Sequence, residues 1–206
     1  MYRAANNSTR KAYSGQTRAC ARKLGMLCFA LLVSGVLQPA RSQSAADEYQ
    51  VKAAFLFHFA QFLAWPSNAL NVGDLSLRLC IFDDEPHRQE LQSTIEGKPV
   101  GARVFHVRLI SHAQEIQGCN ILFLSRDESG RQSAILMSLR GMPVLTVGET
   151  SNFLTDGGMI RFHLDDGKVR FDINLAAAES SHLEISSRLL LLATSVTRGG
   201  VADRGR

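Results

Sequence analysis

Residues 120–124, NILFL, form a short apolar run of the kind that a parallel sheet buries on both faces. Upstream, residues 111–118 read as a short helix with Ser111 as its N-cap. Residues 103–109 read as a strand entered from the Gly97-Lys98-Pro99 turn. Before it come a helix over 87–95, opened by Asp83-Asp84-Glu85-Pro86, and a strand over 76–82, SLRLCIF. Downstream, residues 129–139 are helical in pattern and 144–147 form a further buried strand. Strands alternating with helices predict an α/β fold, a layered and mostly parallel sheet flanked by helices.

Beyond 147 the pattern changes. Residues 158–164 and 168–175 alternate on either side of Asp165-Asp166-Gly167, which is hairpin turn chemistry, so an antiparallel hairpin is expected at a sheet edge. From residue 175 onward a single last helix is expected, with Ala178, His182, Ile185, Leu189, Leu192 and Val196 as its buried seam. Leu183 and Leu190 lie seven apart on a second stripe that Leu191 borders, so these three are candidate partner-binding residues, with the first helix as the alternative cover. Residues 198–206 carry glycines and charges without an apolar pattern and are expected to be disordered.

Residues 49–66, YQVKAAFLFHFAQFLAWP, predict the first helix, ended by Trp65-Pro66. At 100° per residue Val51, Phe55, Leu56, Phe59, Phe62 and Leu63 share one arc, interrupted only by Lys52. Asp47, Gln50, His58 and Gln61 lie opposite, and Ala53, Ala60 and Ala64 run between. Phe57 stands at the polar margin beside those small residues and is a fourth candidate for partner binding.

The first 42 residues hold seven Lys or Arg and no acid, followed within them by an apolar run over 24–37 and small residues around Arg41. This is the pattern of a secretory signal peptide. The run is shorter than the roughly 20 residues that span a bilayer, so cleavage is expected, with an uncleaved anchor as the alternative. Cleavage leaves a single domain over 43–197, ahead of the 198–206 tail, and a protein that does not itself span the membrane. The full chain has 23 basic and 19 acidic residues; losing seven basic ones leaves 16 and a net charge of −3. Nothing then remains to neutralise a phosphate backbone, which argues against nucleic-acid binding. Cys80 and Cys119 are the cysteines of the mature chain, in a compartment that permits disulfides. A bridge between them is expected, with two buried thiols as the alternative. In the chain-entropy model a loop of about 40 residues is worth roughly 4 kcal/mol.

Catalytic patterns are not found. Asp83-Asp84-Glu85 resembles the acidic pair of a phosphoacceptor receiver domain, but residues 124–126 read Leu-Ser-Arg where such a domain ends its third strand on aspartate. These acids fit better as charges at a helix N-terminus. There is no G-x-S-x-G, and His58, His87, His106, His112, His163 and His182 show no metal-ligand spacing. No catalytic residue, metal or cofactor is expected.

The first-helix motif with its Trp-Pro, the strand LRLCIFDD, CNILFLS, VLTVGE, GGMIRFHLDDGKVRFDINL and AAAESSHLEISSRLLLLA together resemble the YfiR-like periplasmic proteins over almost the whole mature chain. The resemblance implies a periplasmic regulator that represses an inner-membrane diguanylate cyclase by binding its periplasmic domain, lowering cyclic di-GMP and biofilm formation. Cys80 and Cys119 match the family's cysteine pair; a second pair that some members carry is absent. The family also occurs as a sensory module on signalling kinases, which implies the alternative of a periplasmic small-ligand sensor. A homodimer is a further expectation.

Overall fold

The computed structural model describes residues 44–67, 69–70, 73–82, 85–198 and 201–203, all in one compact unit. The expected signal peptide therefore lies outside the described residues. Helix α1 (Ala45–Gln61) is started by a capping box, in which Ser44 accepts from the Asp47 N–H and Asp47 accepts from the Ser44 N–H. Strand β1 (Leu63–Ala64) follows at once, then β2 (Ser76–Phe82), α2 (Arg88–Ile95), β3 (Pro99–Val100) and β4 (Arg103–Ile110). A 3-10 turn (Ala113–Ile116) leads to β5 (Ile121–Leu124), and a second (Arg126–Gly130) leads to α3 (Gln132–Ser138). After these come β6 (Leu145–Gly148), β7 (Ile160–Asp165), β8 (Lys168–Asn174), α4 (Leu175–Ser180), β9 (Glu184–Ile185), α5 (Ser187–Leu190), β10 (Ser195–Arg198) and β11 (Val201–Asp203).

The large sheet has the order β11-β10-β8-β7-β6-β5-β2-β4-β3. Strands β4, β2, β5, β6 and β7 run parallel, giving the layered α/β fold that the apolar runs predict. The chain first steps from β2 to β4 and then returns to place β5 on the other side of β2. Cys80 on β2 and Cys119, just before β5, are thereby brought to a Cα–Cα distance of 5.8 Å and joined in a buried disulfide. The hairpin β7–β8 turns at Asp166 and Gly167, with φ of 47° and 71°, the left-handed pair that a tight two-residue hairpin requires.

Alternate residues of the parallel strands enter two cores. Leu79, Ile81, Ile121, Phe123, Leu145 and Val147 face α1 and α2, while Cys80, Phe82, Leu122 and Leu124 face α3. Against the first face the aromatic rings of Phe55, Phe59, Phe162 and Phe171 meet at centroid distances of 5.0–6.0 Å.

Three expectations are corrected. The buried face of α1 is turned from the expected arc: Tyr49, Lys52, Ala53, Leu56, Phe59 and Ala60 are buried, whereas Val51 and Phe55 are only partly so. The helix also stops at Gln61, because Leu63–Ala64 pair with β9. Second, the single last helix is broken. His182 adopts φ 58°, its N–H donates to the Glu179 carbonyl, and the Leu183 N–H reaches back to Ala178 at 3.0 Å. That is a Schellman stop, with Leu183 and Ala178 buried together. Beyond it the chain forms β9, the short α5 and β10 in turn, and Leu192 of the expected seam is exposed. Third, within the tail read as disordered, Val201–Asp203 pair antiparallel with β10.

Candidate functional site

The carboxyl ends of β2, β5 and β6 lead into Glu85, Ser125 and Glu149, and the switch in strand order falls between β2 and β5. Open α/β sheets hold ligands in the crevice at such a point. Here the chain's own side chains fill it. Lys52 of α1 pairs with Glu149 and with Glu48, and its ammonium lies 4.1 Å from the Tyr49 ring centroid. The Tyr49 hydroxyl donates to Glu149 Oε2 at 3.0 Å, and the ring stacks on His87 at 3.9 Å. Burial, reinforced by the Glu149 charge, pushes the Tyr49 phenol well above its ordinary range, so it remains a neutral donor. Burial also pushes Glu85 up, although its Oε1 accepts the His87 N–H at 3.0 Å. Ser125 lies close enough to Glu85 to favour its ionised form, yet its hydroxyl makes no hydrogen bond of good geometry. Asp83 and Asp84 of the predicted acidic cluster fall outside the described residues.

An open cavity of about 590 Å³ adjoins this cluster, walled by Arg126, Ser151, Arg161, His163 and Leu164. Arg161 donates to the Ser151 carbonyl at 2.8 Å and to Asp172 at 2.5 Å. Its Nε makes no hydrogen bond, and neither does His163 Nδ1, which stands 3.3 Å from Asp172 Oδ2. The loop behind it is closely packed: the Phe153 ring fills the space beside Gly148 and Gly158, where a Cβ on either would collide with it. Asp156 holds the same loop by accepting from Gln132, Ser133 and Asn152.

A second surface sets apolar side chains beside Glu179 and Glu184. A groove of about 670 Å³ is lined by Trp65, Pro66, Leu175, His182, Ile185 and Leu190, among others. The two residues after Leu190 are bare, Leu191 at 86% and Leu192 at 64% exposure. Of the predicted partner-binding residues, Leu190 is half-buried in this groove and Leu191 stands next to it. Leu183 reaches the groove floor but is 1% exposed, so it belongs to the core rather than to an open stripe. Phe57 lies elsewhere, against Phe105 and under the Lys98 ammonium. The Lys52–Glu149 pair and the Arg161–Asp172 pair were not singled out from sequence; the one visible sign was a lysine interrupting an apolar arc.

Among the described residues no group of His, Cys, Asp and Glu is placed to hold a metal ion. No helix among them is long and apolar enough to cross a membrane.

No curated protein matches the chain. A crystal structure titled as a conserved domain protein from Vibrio cholerae is similar with a TM-score of 0.45 and 10% identity, over 72% of this chain and 60% of that one. The chain thus spans somewhat under two thirds of that protein. The family described as YfiR/HmsC-like matches residues 49–194.

Proposed function

The chain belongs to the YfiR/HmsC-like family, whose members have a periplasmic regulatory role in cyclic di-GMP signalling, and we propose that it acts by binding and repressing an inner-membrane diguanylate cyclase. The observation that favours a protein partner is the groove ending in Leu191 and Leu192. Two adjacent leucines left in water beside a groove that Trp65, Ile185 and Leu190 help to line make a surface of the kind that partners cover. The cyclase's periplasmic portion is the proposed occupant, and a second copy of the chain competes for the same surface.

The test is co-purification of the mature protein with the periplasmic portion of a cyclase encoded beside it, together with cyclic di-GMP measurement in a clean deletion. Binding that Leu191→Asp abolishes, with raised nucleotide in the deletion, is the expected result. Unchanged nucleotide levels and no complex would sink the reading. If Leu191→Asp instead turns a dimer into a monomer while cyclase binding persists, the groove is a self-association surface.

A second reading, a small-ligand sensor, is favoured by the open cavity beside the switch point, whose wall includes the Arg161 and His163 side chains. Saturable thermal stabilisation by small carboxylic acids, lost in His163→Gln, would support it. A flat response to the whole set would dismiss it.

A further inference from the structure

We propose that the outer edge of β4 is a docking site for an extended segment of a partner protein, added as one more strand, in which acidic and apolar side chains alternate.

The two ends of the large sheet are finished differently. At one end β11 lies along β10 through three residue pairs. At the other, β3 pairs with β4 only at Pro99↔Val104 and Val100↔Arg103. Gly97 and Lys98 extend that cover by one residue, since the Gly97 N–H donates to the Phe105 carbonyl and the Phe105 N–H to the Lys98 carbonyl, both at 2.9 Å. Beyond Phe105 no described strand lies along this side of β4. Bonding groups alternate along a strand, so those of Val107 and Leu109 point outward like those of Phe105, while Val104 donates inward to Leu75.

What covers the open stretch is one carboxylate. Glu96 Oε2 accepts the Val107 N–H at 2.7 Å, and Oε1 lies 2.8 Å from His106 Nδ1. A side-chain oxygen thus stands where the carbonyl of a neighbouring strand would stand. Proteins commonly protect sheet edges with charges of this sort, and such a cover is displaced by rotating one exposed side chain. Two residues farther on, Leu109 is 39% exposed, an apolar side chain on an uncovered edge.

The side chains along the edge specify the occupant. Phe105, Val107 and Leu109 lie on the α1–α2 side of the sheet, while His106 and Arg108 lie on the other. Arg108 donates to the Gln117 carbonyl at 3.0 Å and pairs with no carboxylate among the described residues. A strand added here places one set of its side chains over Val107 and Leu109 and the next set opposite His106 and Arg108. The matching chemistry is apolar on the first set and acidic on the second. A second copy of this edge does not match: an antiparallel pairing centred on Val107 sets His106 against Arg108, and an in-register parallel pairing sets each against itself. The site uses none of the groove at Leu190 and stands independently of it.

The test uses the mature chain and two capped seven-residue peptides, one alternating valine with glutamate and the other valine with lysine, read by amide hydrogen exchange. With the glutamate peptide at saturation the Leu109 amide is expected to exchange about tenfold more slowly, the protection that one added backbone hydrogen bond confers. The lysine peptide is expected to leave it unchanged. Leu109→Pro removes the outward N–H, and calorimetric titration with the glutamate peptide should then show no binding. Should that variant fail to fold, Arg108→Glu should shift the preference from the glutamate to the lysine peptide. An unprotected Leu109 amide at saturating glutamate peptide, or equal protection by both peptides, overturns the proposal.

Discussion

Lys52 and Leu191 occupy each other's expected places. The lysine is 3% exposed at the centre of the first helix's buried face, and the leucine is 86% exposed just past α5. The difference lies in what each meets. Lys52 finds Glu149 at the end of β6, Glu48 one turn away on its own helix, and the Tyr49 ring. An ammonium leaves water only when such partners replace its hydration. Leu191 and Leu192 meet little cover from the described residues of their own chain. A charged region is thus completed internally, while an apolar one stays open. Hydropathy alone assigns both the wrong way round; the availability of a partner decides.

The strongest way to break this comparison is to remove the lysine and leave its partner. Lys52→Ala strands Glu149 in the interior, and a loss of about 3–5 kcal/mol is expected in urea unfolding. Lys52→Met combined with Glu149→Met removes both charges and should recover most of that loss. If the double variant is as unstable as the single one, the pair is not what holds α1 over the switch point.

A bond that also joins distant elements gives the next largest effect. Cys80→Ser should cost about 2–5 kcal/mol, the range for a native disulfide in a small exported domain. Both cysteines are buried, at 0% and 4% exposure, so the bond is also expected to resist mild reductant in the folded protein. Rapid alkylation of native protein after mild reduction would contradict that.

The residues that carried the fold in the sequence are those whose environment is set locally. The largely apolar runs at 76–82, 120–124 and 144–147 are strands because burial on both faces needs mostly apolar residues, and the hairpin is fixed by Asp166-Gly167. The site was less legible because its pairs are remote in sequence. Lys52 and Glu149 are 97 residues apart, and nothing near either marks the other. The last helix failed for a related reason: Ala178 to Val196 keeps a helical apolar period, but a histidine took the left-handed stop that glycine usually signals. Neither strand pairing, of β9 with β1 or of β10 with β8, leaves a trace in that period.

Leu183 and Leu191 sharpen the comparison within one residue type. They are eight residues apart, Leu183 on a second apolar stripe and Leu191 at its border, yet one is core and the other bare. Leu183→Ala should cost about 2–5 kcal/mol by opening a cavity. Leu191→Ala should change stability by less than about 0.5 kcal/mol. Equal losses in thermal melting would mean that Leu191 is covered by its own chain in solution, and would remove the argument for an open surface.

The smallest effect concerns Glu85, the buried acid that accepts the His87 N–H. Glu85 is 3% exposed, and burial raises its pKa above the ordinary 4.5, with the Glu149 charge adding to the rise. The sign follows from proton uptake. Between 4.5 and its raised folded value, the native chain holds a proton on Glu85 that the unfolded chain has released. Stability therefore falls as pH rises through that window, and the loss is complete above the folded pKa. Glu85→Gln keeps an oxygen to accept the His87 N–H and removes the charge. The variant should be more stable than the parent at neutral pH, and the gap should close as pH falls below 4.5, where the parent is protonated in both states. Urea midpoints measured across that range decide it. Parallel curves for parent and variant would show that the Glu85 charge is as well compensated in the fold as that of Glu149.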